Sequence, residues 1–108
     1  MLITQSLLRE VAAEAAASPR RRKNRNFHTS DDAAAHRLLN AIEPDSYVQP
    51  HRHLDPAKSE TIVAVRGRLG VVLFGDDGSV ESAVVIAPAS EVIGIDVPYG
   101  RFHTVLAL

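Results

Sequence analysis

The 108-residue chain contains no cysteine. A disulfide framework, thiolate metal ligation and cysteine nucleophiles are excluded together, so any bound metal must be held by histidine and carboxylate groups. Long apolar runs are missing too. The strongest, Ala83-Val84-Val85-Ile86-Ala87, is far too short to cross a bilayer. The N-terminus has no basic segment followed by an apolar one, and no lipidation, twin-arginine or glycosylphosphatidylinositol signal. The expectation is a cytoplasmic protein with no membrane partner. An excess of charge of one sign is also absent: the formal net charge is -1, with 23% charged and 45% hydrophobic residues. That balance belongs to a soluble globular chain rather than a disordered or nucleic-acid-coating one.

What is present reads as one small domain with an N-terminal extension. Leu7, Leu8, Val11, Ala12 and Ala15 recur at near-helical spacing, with Ser6 as the expected N-cap of a helix over 6–17. Ser18-Pro19 ends it, because proline lacks a backbone donor and disfavours helix at the residue before it. Arg20, Arg21, Arg22, Lys23 and Arg25 follow as a basic loop. The division expected is 1–25 for the helix and arm and 26–108 for the main domain. Between Asn26 and Glu43 the signals conflict: Asp31 and Asp32 fit the cap of a helix over 33–40, whereas the run from His36 to Ile42 fits a strand, which the second half favours. Beyond Glu43, short β-branched runs alternate with turn residues, predicting strands over 46–49, 61–66, 70–74, 80–86, 91–95 and 102–106. Gly75-Asp76-Asp77-Gly78-Ser79 reads as a hairpin turn, and Pro98-Tyr99-Gly100 as a second turn.

The chemistry concentrates in four residues. His51 and His53 are separated by one residue, so in an extended segment both imidazoles project to one side. Glu60 follows after a turn-like stretch and returns at the start of the next strand, and His103 stands alone after the second turn. A His-x-His pair by itself is common among surface and core histidines. Joined by Glu60 and His103 it becomes a mixed nitrogen and oxygen donor set suited to Fe, Mn, Ni, Cu or Zn as divalent ions. Four protein ligands on an octahedral ion leave two positions for water or substrate, as a metal enzyme requires.

Pro50-His51-Arg52-His53, Glu60 and Gly67, together with Gly94 and Pro98-Tyr99-Gly100-Arg101-Phe102-His103, resemble the two motifs of the cupin superfamily. Asp45 stands where many cupins have glycine, and the spacer between His53 and Glu60 is longer than usual. The segment from Pro44 to His53, the arginine-rich stretch and Asn26-Phe27-His28 look like the WbuC-type cupin-fold metalloproteins of surface-polysaccharide gene clusters. The resemblance implies an all-β jelly-roll barrel with a short N-terminal helix and a metal held by His51, His53, Glu60 and His103. Because the chain stops five residues after His103, the expected barrel either lacks its last strands or is completed by a partner, and a homodimer is expected.

The implied activity is a metal-dependent isomerase or epimerase acting on a carbohydrate-type small molecule, a sugar phosphate or nucleotide sugar. Tyr47 and His28 are the acid/base candidates. Alternation places Tyr47 and Gln49 on the side of His51, and Arg101 and Val105 on that of His103, so Gln49 and Arg101 are substrate-binding candidates. Arg25, from the basic arm, is a third. The same ligand set serves an Fe(II) dioxygenase, and a non-catalytic metal-dependent binding module stands as a further alternative. Nucleic acid is not an expected partner, since no aromatic residues interleave with the basic run.

Overall fold

The computed structural model describes residues 1–108, with one helix and seven strands. These are α1 (Gln5–Ala17), β1 (Arg22–Asn26), β2 (Leu38–Ile42), β3 (Glu60–Val63), β4 (Leu69–Phe74), β5 (Val80–Ile86), β6 (Gly94–Val97) and β7 (Phe102–Ala107). The chain is thus mostly β with one short N-terminal helix. Its strands form three antiparallel sheets, ordered β1-β2, β3-β6 and β5-β4-β7, and no closed barrel results. No helix is long and apolar enough to cross a membrane.

The residues group into two compact units, Met1–Ser46 and Tyr47–Leu108. In the first, α1 buries Val11 and Ala15 and packs on the β1-β2 ribbon. Its N-cap is Thr4 rather than the expected Ser6: Thr4 is extended and its hydroxyl accepts the Leu7 N–H at 3.1 Å. The expected basic loop is largely strand. Arg22 to Asn26 pair with Leu38 to Ile42, so the boundary expected at 25/26 falls inside β1. Ion pairs make this possible. Arg25 reaches Glu14 at 2.7 Å and Glu10 at 3.2 Å on α1, while Arg21 pairs with Asp45 at 3.1 Å. The clustered charge of the arm is neutralised locally instead of repelling itself into a loop.

In the second unit, β4-β5 and the turn at Gly75 to Ser79 form the expected hairpin, with Gly78 at φ 85. Three sequence-based ranges need correction. Residues 46–49 form no strand: Ser46 N–H closes a turn on the Glu43 carbonyl, and the Val48 carbonyl accepts from the Thr104 hydroxyl instead of a strand partner. The range 91–95 shifts to Gly94–Val97, since Ser90 and Val92 are used in a turn against Ala87. The strand expected over 61–66 ends at Val63, before the turn in which Gly67 adopts φ 70.

Alternation then determines where the chemistry lies. Val71 and Ile86 are fully buried and, with Ala64, gather Ile62, Leu69, Leu73, Val84, Ile95 and Val105 into one core supplied by both sheets. Each such side chain contributes roughly 1.5–3 kcal/mol of burial. On β3, Glu60 has the parity of Ile62; on β7, His103 has the parity of Val105 and lies opposite Leu73. Both site residues therefore project to the core side of their sheets, at one end of the apolar cluster.

Gly94 tests this packing. A Cβ there would lie 2.5 Å from the Ile62 carbonyl, which is backbone and cannot rotate away, whereas one at Gly70 would meet only the Leu106 side chain at 3.3 Å. Urea unfolding should show Gly94→Ala losing about 1–3 kcal/mol and Gly70→Ala distinctly less. Equal losses would contradict the β3-β6 contact.

Candidate metal centre

The four residues expected as ligands converge, although not by the strand geometry inferred for the first two. His51 belongs to an isolated bridge with His103 rather than to a strand. The two residues exchange both backbone bonds, His51 N–H to the His103 carbonyl at 3.0 Å and His103 N–H to the His51 carbonyl at 2.9 Å. Directly opposed residues in such a pair carry their side chains on the same side. Their rings accordingly lie 4.4 Å apart between centroids. The turn before β7 supplies the next clamp, since Gly100 N–H donates to the His53 carbonyl at 2.6 Å, and Gly100 needs its φ of 81 to do so. Thr104 adds a third tie through its hydroxyl to the Val48 carbonyl. Glu60 arrives as the first residue of β3, opposite Val97.

One potential ligand atom from each of His51, His53, Glu60 and His103 lies within 4.8 Å of the others. Donors on a single ion at about 2.1 Å lie within about 4.2 Å of each other, so a contraction of a few tenths of an ångström completes the set. Hydrogen bonds already orient the rings. His51 donates from Nδ1 to the Gln49 carbonyl at 3.0 Å, leaving Nε2 with a free lone pair. His103 repeats the arrangement, with Nδ1 donating to the Arg101 carbonyl at 2.9 Å. In each case the acceptor lies two residues before the histidine. The donor set, its spacing and this outer layer of carbonyls fit a divalent transition metal of nitrogen and oxygen preference.

Glu60 Oε2 also accepts from His103 Nε2 and from His53 Nε2, each at 3.2 Å. Acceptors facing both nitrogens favour the protonated form of His103. Its pKa is raised, chiefly by the Glu60 bond, which outweighs burial and is reinforced by the Arg101 carbonyl. The Glu60 carboxyl is pulled below its usual range, first by the His103 bond, against a smaller opposing effect of burial. His103 is 1% exposed, whereas the side chains of His53 and Glu60 are each 40% exposed. The cluster is closed behind His103 and open at His53 and Glu60, the side from which a ligand can enter.

The other expected site residues have different surroundings. Tyr47 is 74% exposed and Gln49 is exposed, because alternation has no force outside a strand; Gln49 acts through its carbonyl on His51. Arg101 is bonded to Glu81 at 2.6 Å, and its Nε is buried without a partner. Arg25 is engaged by Glu10 and Glu14. His28 lies in the first unit, where its Nδ1 accepts the Arg37 N–H at 3.1 Å and its ring stacks on His36 at 4.2 Å. Sequence reasoning missed the carbonyl partners of His51 and His103. The spacing two residues before each histidine was the available signal.

The Glu60–His103 pair makes stability depend on pH in the protein stripped of metal. A raised His103 pKa stabilises the fold below the unfolded histidine value of about 6.5 and loses that effect as pH rises through the folded value. A lowered Glu60 pKa stabilises it above about 4.3 and loses that effect as pH falls through the folded value. The melting-temperature difference between the wild type and Glu60→Gln should therefore be largest between about pH 4.5 and 6.5 and shrink on both sides. A difference independent of pH would contradict the pairing.

No curated protein and no solved structure matches the chain. One family does. Residues 3–86 match the sequence model of a domain of unknown function, DUF6016, a span that includes His51, His53 and Glu60 and stops before His103. The chain belongs to the DUF6016 family.

Proposed function

We propose that the chain is a cupin-type metalloprotein in which His51, His53, Glu60 and His103 hold a divalent transition-metal ion. The observation that carries this reading is the convergence of four potential ligand atoms within 4.8 Å, drawn from three separate parts of the sequence. Three neutral imidazoles and one carboxylate leave a divalent ion with a net charge of +1 and with positions beyond the four protein donors. Bound there, the ion supplies Lewis-acid polarisation of an oxygen-bearing ligand. His51 and His103 keep their Nε2 atoms directed at the centre through the Gln49 and Arg101 carbonyls, and the half-exposed edge at His53 and Glu60 admits the ligand.

The ligand we propose is a small carbohydrate-type molecule, a sugar phosphate or nucleotide sugar, acted on by isomerisation or epimerisation in surface-polysaccharide metabolism. Support for that part is the resemblance of the Pro44 to His53 segment to WbuC-type proteins, together with an open edge rather than a closed four-ligand site. Homodimerisation belongs to the same proposal.

Protein purified without an affinity metal column should contain about one transition-metal ion per chain by elemental analysis. His51→Ala should lower the retained metal at least tenfold while the protein stays folded by circular dichroism. Undiminished metal in the variant would refute the site. Turnover of sugar phosphates by metal-loaded wild type, absent after chelation, checks the proposed activity separately.

A further inference from the structure

The three-stranded sheet of the second unit has one unguarded edge. β5 and β7 flank β4; the outer edge of β7 takes the His51 bridge, whereas no strand lies beyond β5. A free edge presents a row of unpaired N–H and C=O groups, and proteins that stay monomeric blunt it with lysine, proline or a cover. Val80–Ile86 holds no lysine, arginine or proline. Its one charge, on Glu81, is taken by Arg101 at 2.6 Å. The strand is uncovered as well: Val80 is 63% and Val85 43% exposed, and Glu81, Ser82 and Ala83 between them are exposed.

We propose that β5 pairs antiparallel with β5 of a second copy of this chain, about a twofold axis at Ala83, so that the two three-stranded sheets become one of six strands. This surface presupposes the homodimer proposed with the metal site and gives that dimer its interface. Charge selects both the occupant and the direction. Asp76 and Asp77 lie in the turn that leads into β5, while Arg66 and Arg68 precede Leu69, which pairs with Ile86 at the other end of β5. The edge is therefore acidic where β5 starts and basic where it ends; Glu91, in the turn after β5, lowers the positive charge there without cancelling it. Arg66, Arg68 and Asp76 are exposed and join no ion pair within the chain. Antiparallel pairing sets each acidic turn beside the basic turn of the other copy, about two strand spacings or ~10 Å across the sheet, a gap that arginine side chains shorten. Parallel pairing would set like charge beside like. At the axis the small Ala83 faces its own counterpart, and Ser82 faces Val84 of the other copy.

Sedimentation velocity of the full chain at about 0.1 mM should give a dimer. Ala83→Lys and Ala83→Glu each set like charges directly opposite one another across the axis. Each should weaken the dimer at least tenfold with an unchanged circular dichroism spectrum, since Ala83 is exposed. An equimolar mixture of the two variants should restore it. Asp76→Lys should weaken the dimer roughly threefold, and adding Arg68→Asp to the same chain should recover it. A monomeric wild type would overturn this interface together with the homodimer. A dimer that persists in both Ala83 variants would leave the homodimer standing and overturn the β5 interface, as would a mixture that stays monomeric. No recovery in the chain carrying Asp76→Lys and Arg68→Asp would overturn the antiparallel direction.

Discussion

Two backbone hydrogen bonds, exchanged between His51 and His103, fix the relation between parts of the chain more than fifty residues apart. They are short-range and directional, and each removes a donor and an acceptor that would otherwise need water. Because they oppose the two residues directly, they also place both imidazoles on one side. The Gly100 bond to the His53 carbonyl and the Thr104 bond to that of Val48 continue the same seam. Without it, the segment from Tyr47 to Ser59, which holds only this one bridge and no strand, would carry its two histidines with no fixed position.

The core supplies the other half of the arrangement. Val71 and Ile86 hold the two sheets of the second unit together, and the alternation that buries Ile62 and Val105 brings Glu60 and His103 to the same end. A carboxylate and an imidazole at the edge of an apolar cluster must find partners, and they find each other. Their bond raises one pKa and lowers the other for a single electrostatic reason. A metal ion held by these residues would take the place of the shared proton as the positive partner of Glu60, which would link metal affinity to pH through that pair.

Much of this was legible in the residues. The ligand types and spacing named all four converging side chains, and β5 falls on its predicted range because Gly75 to Ser79 and Pro88 bracket a stretch without other punctuation. Other parts depend on distant partners that local patterns do not reveal. Arg22 to Asn26 look like a solvated loop until Glu10, Glu14 and the β2 strand are in place. Tyr47 and Gln49 share the parity of His51, yet they lie in no ladder, and parity then predicts nothing. Arg101 has the expected parity too, but the bulge between Leu73 and Phe74 presents Glu81 to it. The sheets are as β-rich as expected without closing into a barrel, and the cupin likeness rests on the ligand motifs.

X-ray absorption on protein loaded with one equivalent of zinc addresses the metal centre most directly. Coordination by His51, His53, Glu60 and His103 predicts a first shell of nitrogen and oxygen alone, with outer-shell scattering from three imidazole rings. A shell with scattering from one imidazole or none would contradict it, whatever the overall metal content.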